Sequence, residues 1–271
     1  MFTKEDIAIS DFIISELKSI KINLDNQINH LYILTAEVID ELKVTSLSKI
    51  LIIDFSSSPN TNGRTSYSLG NSSMSSQIEI DKKVFINFNN RDIDLKNKAL
   101  ETIYHELYHV YNEENLFYKF GKVKIPIEEV PYCKIGTKCW AEYLSYYKIK
   151  EFHMSDYPFK EFNLIYNIIQ QRKANPEVIN RFLYMISNIC AYESNKQYIK
   201  KLEDTTYFTY IRKDGRYNNF IDQLKNIMQC YPDRVSGVEV FTNLGKTCCE
   251  LIKHFHYEIR FKNGNMIVKL I

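Results

Sequence analysis

The segment Thr102-Ile103-Tyr104-His105-Glu106-Leu107-Tyr108-His109-Val110-Tyr111 restricts the fold more tightly than any other stretch of the chain. On a helix, residues four apart share a face, so His105 and His109 project side by side at a spacing that suits one metal ion. Glu106 is offset by one position, so it cannot be an equivalent ligand; it can instead hold a water and accept its proton. Apart from the histidines and Glu106, every residue of the segment is uncharged, and no proline interrupts it. A helix buried beneath a cleft requires that, because unpaired charges there are costly. The competing account, an amphipathic helix that carries two histidines by coincidence, fits those flanks less well.

Two histidines and a water leave a tetrahedral metal one ligand short. The remaining histidines are His30, His153, His254 and His256, and none follows His109 at short spacing. Glu142 is the better candidate. It is the one acid in Cys139-Trp140-Ala141-Glu142-Tyr143-Leu144-Ser145-Tyr146-Tyr147, a segment otherwise suited to burial, and a buried acid needs a partner. The competing acids are Glu128 and Glu129, in a loop that ends at Pro131, and Glu151, on a stretch charged by Lys148 and Lys150.

His105-Glu106-Leu107-Tyr108-His109 followed by Ala141-Glu142-Tyr143-Leu144-Ser145 resembles the gluzincin metallopeptidases, whose third zinc ligand is a glutamate on a downstream helix. The apparent strand Lys83-Val84-Phe85-Ile86-Asn87-Phe88, running into the metal helix, also resembles the small metallopeptidases of bacterial mobile elements and prophages. The resemblance covers about residues 75–150. It implies Zn2+ held by His105, His109 and Glu142, with Glu106 as general base. Thermolysin-like gluzincins carry an aspartate four residues after the ligand glutamate, where it orients the first histidine; here that position is Tyr146. A phenol brings no negative charge, so the tuning of the imidazole must differ.

At 271 residues the chain has room for one large domain or two modest ones. Its 45% hydrophobic and 25% charged content is ordinary for a globular protein. The formal net charge of +2 gives no global basic field, so nucleic acid is not expected as a partner. No apolar run is long enough for a bilayer, so no membrane association is expected. The start Met1-Phe2-Thr3-Lys4-Glu5-Asp6 lacks the pattern of a signal peptide, which makes the cytoplasm the expected compartment and reduced thiols the expected state of the six cysteines.

Apolar spacing from Lys4 to Leu42 (Ile7, Phe12, Ile13 and Leu17, then Ile28, Leu31, Leu34 and Val38) predicts helices. Lys49–Phe55 reads as a buried strand. The polar, serine-rich stretch Ser56–Ser76 is expected to be a long loop, either plain surface or a flap over a cleft. Gln77–Ile80 and Val84–Phe88 alternate at period two and are expected as strands joined by a tight turn. Asp92 or Asp94 can cap the metal helix, which extends to about Phe120. Further helices are expected at 160–172, after Asn175-Pro176, at 217–230 and at 237–254, followed by a hairpin turning at Asn263-Gly264. His254 and His256, two apart, would share a face on a strand, or else lie in a turn at a helix end.

The expected fold is therefore α+β. A zincin-like catalytic domain over residues 1–155 would pack a small sheet on an active-site helix and a glutamate helix, and a mainly helical region over 156–271 would end in a β-hairpin. In such a domain a substrate peptide lies along the sheet's exposed edge strand. The expected activity is zinc-dependent hydrolysis of a peptide bond in a protein or peptide, with a Tyr or His of the downstream half stabilising the oxyanion. The alternatives are a catalytically silent binding or regulatory protein on the same scaffold, a partner-binding protein whose histidines never meet metal, and a hydrolase of a non-peptide amide.

Overall fold

The computed structural model describes residues 2–57, 61–150, 157–193, 209 and 211–271. The chain divides into two compact units, Met1–Lys119 and Phe120–Ile271. The division falls before the helix that carries Glu142.

The first unit contains β1 (Ile7–Ile9), α1 (Asp11–Ser19), α2 (Leu24–Leu42), β2 (Leu47–Ile53), β3 (Gly63–Leu69), β4 (Met74–Asp81), α3 (Lys82–Asn87) and α4 (Ile93–Phe120). Its sheet has the order β1-β2-β4-β3, with β1–β2 and β2–β4 parallel and β3–β4 antiparallel. Alternating Ile50, Ile52, Ile78 and Ile80 are buried and join one core with Leu17, Leu31, Phe85, Ile103, Leu107 and Val110. The α4 residues Ala99, Ile103, Leu107 and Val110 recur at helical spacing and form its buried stripe. Asp92 caps α4, its side chain accepting from the backbone N–H groups of Asp94 (2.9 Å) and Leu95 (3.2 Å). Toward the other end of the helix, buried Glu114 accepts from Thr45 N (3.0 Å), Thr45 Oγ1 (2.6 Å) and Ser46 N (2.9 Å), which ties α4 to the entry of β2.

Three expectations are corrected in this unit. The segment expected to begin as helix instead starts with a 3-10 turn and β1, so Ile7 is a strand residue, and Phe12 is 73% exposed. Within Ser56–Ser76, the residues Gly63–Leu69 form edge strand β3, and Met74 already belongs to β4; residues 58–60 lie outside the described set. Finally, Val84–Phe88 is helical rather than extended. Asp81 Oδ1 accepts from Lys83 N (2.7 Å) and starts the turn, while its Oδ2 accepts from Phe55 N (2.9 Å). The buried side chains are Val84, Phe85 and Phe88, at positions i, i+1 and i+4, which form a helical face. Gln27 Nε2 then satisfies carbonyls at the end of this short helix, Phe85 O at 3.1 Å and Ile86 O at 3.3 Å.

The second unit contains α5 (Val130–Ile149), α6 (Tyr157–Gln170), α7 (Pro176–Tyr192), α8 (Gly215–Cys230) and α9 (Glu239–Lys253), then β5 (Tyr257–Lys262) and β6 (Asn265–Leu270). The expected helix starts and the terminal hairpin are present. Asn175 caps α7, accepting from Val178 N at 2.9 Å, and Asn263 (φ 52°) and Gly264 (φ 76°) supply the positive angles of the hairpin turn. Helix α5 packs against both α7 and α9 around a core that includes Trp140, Phe182, Phe220 and Phe241. Two glycines let α5 and α9 meet backbone to backbone. A Cβ on Gly136 would lie 1.9 Å from Phe241 O, and one on Gly245 would lie 1.9 Å from Tyr132 O.

The six cysteines are free thiols, with Cys139 and Cys248 Sγ atoms 3.7 Å apart in the α5–α9 seam. Among the described residues, no helix is long and apolar enough to cross a membrane. Because neither carbonyl at the crossing can yield without moving a helix, Gly245→Ala should destabilise the protein by about 2 kcal/mol. The check is the denaturant midpoint, and an unchanged midpoint would contradict the tight crossing.

Candidate metal centre

Helix α4 places His105 and His109 one turn apart, with their Nε2 atoms 2.9 Å from each other and their rings edge to face at 4.4 Å. Two nitrogens each about 2.0–2.1 Å from a tetrahedral ion would stand roughly 3.3 Å apart, so the pair is already near a shared-ligand geometry. Burial lowers the His109 pKa to about 4. It holds His105 well below the usual imidazole range, with the neighbouring His109 adding to the effect. Both rings are therefore neutral at neutral pH, the form in which imidazole donates a lone pair to a metal.

Glu106, turned away from the histidine pair by one helical step, is buried against the edge strand. Its Oε2 accepts from the hydroxyl of Thr65 on β3 at 2.7 Å. The strand approaches so closely that a Cβ on Gly63 would stand 2.8 Å from Glu106 Cγ and 2.9 Å from its Oε1. A glycine at this point is what allows the carboxylate and the edge strand to meet.

Glu142 projects from α5, and burial of its carboxylate raises its pKa to about 7, against the opposing effect of a hydrogen bond from Asn188. With the Asn188 amide, on α7, assigned so that its nitrogen rather than its oxygen faces the neighbouring acceptors, Nδ2 lies 3.2 Å from Glu142 Oε2 and 3.3 Å from Tyr184 O. The Tyr184 phenol is pushed upward chiefly by burial, and the Glu142 charge contributes to the same shift.

Among the described residues, one group could hold a metal ion: a ligand atom from each of His105, His109 and Glu142 lies within 4.8 Å of the other two. Two neutral imidazoles and one carboxylate form a donor set of the kind that borderline divalent cations accept. Glu128 is exposed and Glu129 pairs with Lys246 at 2.8 Å, so neither joins the group, while Glu151 and His153 lie outside the described residues. Tyr146 is buried with its ring edge-on to Tyr192 at 5.6 Å. His30 Nδ1 meets Asn89 Nδ2 at 2.7 Å.

His254 and His256 lie in a turn at a helix end and not together on a strand face. His254 is the C-cap of α9, its Nδ1 2.5 Å from Oδ2 of Asp214, which also caps α8 by accepting from Arg216 N. His256 sits in the following turn at φ 63°. The alternative expectation, a turn at a helix end, describes them correctly.

Sequence reasoning misses three contributors, Gly63, Thr65 and Asn188. The first two lie in the serine-rich stretch and carry no distinguishing signal. Asn188 offers one, as a lone amide in the apolar run from Met185 to Ala191.

Compared with known proteins, the chain matches no family model, no curated protein and no solved structure.

The raised pKa of Glu142 gives a testable linkage. Between about 7 and the ordinary 4.5, the folded chain binds a proton that the unfolded chain does not. Stability from this group is thus fully present below 4.5 and lost as pH rises through about 7. In metal-free protein, Glu142→Gln should be more stable than wild type by about 2–3 kcal/mol at pH near 8, with the difference closing towards pH 5. Equal denaturant midpoints at both pH values would contradict the desolvated carboxylate.

Proposed function

We propose that this chain is a zinc-dependent peptidase of gluzincin type that hydrolyses a peptide bond in a protein or peptide substrate, working in the cytoplasm. The observation that carries the reading is the grouping of two neutral imidazoles with one half-buried carboxylate, while Glu106 is held separately by the edge strand. His105, His109 and Glu142 would hold the ion. Zinc, when bound, supplies Lewis acidity to a carbonyl and to a water.

The remaining chemistry belongs to the chain. Glu106 accepts a proton from the attacking water and delivers it to the departing amide nitrogen. Thr65 holds Oε2 of that carboxylate, its hydroxyl donating at 2.7 Å. Gly63 keeps the wall of the site free of a side chain that would displace Oε1. Among the described residues no strand pairs with the outer side of edge strand β3, along which an extended peptide can add main-chain hydrogen bonds.

Elemental mass spectrometry on untagged protein tests the centre. About one zinc per chain is expected for wild type, with marked loss in His105→Ala and in Glu142→Ala. No zinc in wild type after reconstitution would overturn the reading.

Cleavage can be followed by mass spectrometry on a proteome-derived peptide mixture. Glu106→Gln should retain zinc and lower the rate at least about 100-fold. Thr65→Val should retain zinc and lower the rate about tenfold, with Thr65→Ser close to wild type. Undiminished cleavage by Glu106→Gln would remove its role as base. A zinc-loaded wild type that cleaves nothing in the mixture would favour the binding or regulatory protein.

A further inference from the structure

We infer that Asn188 is a positioning residue that presents Glu142 to the metal ion, an inference that rests on the metal-centre reading above. Helix α7 packs against α5, and Asn188 on it is only 1% exposed. In the amide orientation that its surroundings require, with nitrogen facing the two acceptors, it donates to Tyr184 O at 3.3 Å and to Glu142 Oε2 at 3.2 Å. Tyr184 lies four residues earlier on the same helix, so the first bond locks the amide to its own backbone. The second then locks the carboxylate. Flipping the amide would aim its oxygen at two acceptors, so the donor role is fixed by the surroundings.

This arrangement has a direct consequence for ligation. A glutamate side chain has three rotatable bonds, and ordering them is part of the cost of forming any metal site. Asn188 removes much of that freedom before an ion arrives, because it holds one carboxylate oxygen at a fixed point. The orienting contact reaches the carboxylate on α5 from a different helix, α7. Hydrogen bonds to ligating side chains commonly change metal affinity by about 10–100-fold.

A double-mutant cycle on the full-length, metal-stripped chain separates positioning from a merely structural role. Zinc affinity is measured by competition with a chromophoric chelator for wild type, Asn188→Leu, Glu142→Ala and the double variant. Asn188→Leu should weaken zinc about 10–100-fold in the wild-type background and by no more than about twofold once Glu142 is gone. Unfolding midpoints of the metal-free proteins report folding independently. If Asn188→Leu fails to fold, Asn188→Ser, too short to reach the carboxylate, takes its place in the cycle. Zinc binding unchanged by the substitution, or weakened equally in both backgrounds, would overturn the inference while leaving the metal centre intact. A wild-type chain that binds no zinc would overturn the metal centre and the inference with it.

Discussion

Removing ionisable groups from water is costly unless something replaces the lost hydration, and that constraint governs the candidate site. The imidazoles of His105 and His109 respond by staying neutral, while the Glu142 carboxyl gains a strong tendency to keep its proton. Protein contacts offset only part of the Glu142 desolvation, since the Asn188 amide acts against the upward shift without cancelling it. A site assembled this way is destabilising in itself, so the packing within each unit must hold its groups in place.

The sheet contributes more than a platform. Because β3 is antiparallel and lies at the edge, one side of it pairs with β4 while its residues also meet α4 through Gly63 and Thr65. A strand placed there joins two functions that are distant in sequence, the fixing of the Glu106 carboxylate and the display of open main-chain groups.

The features readable from sequence are those whose signals sit close together on the chain. The histidine pair, the Asp92 cap, the Asn175-Pro176 start of α7 and the Asn263-Gly264 turn each depend on a few neighbouring residues and recur as expected. What is not readable depends on distant partners. Strand β3 is polar and mostly exposed, so no alternation of apolar residues marks it; it is a strand because β4 offers it a ladder. Val84–Phe88 suits either period until Asp81 caps its start and Gln27 closes its end, and Gln27 lies far away in sequence. The same reason hides Thr65, whose meaning comes from the carboxylate it touches.

The clasp at Glu114 bears on how α4 moves. Three donors from Thr45 and Ser46 fix one point of the helix to the chain entering β2, little more than one turn beyond His109. A helix pinned close beyond a pair of side chains transmits little sliding or rotation to them. Fluctuations of the first turns, near the exposed Ile93 and Leu95, would thus be damped before they reach the histidines. The length of the helix thus separates its exposed first residues from the histidine pair.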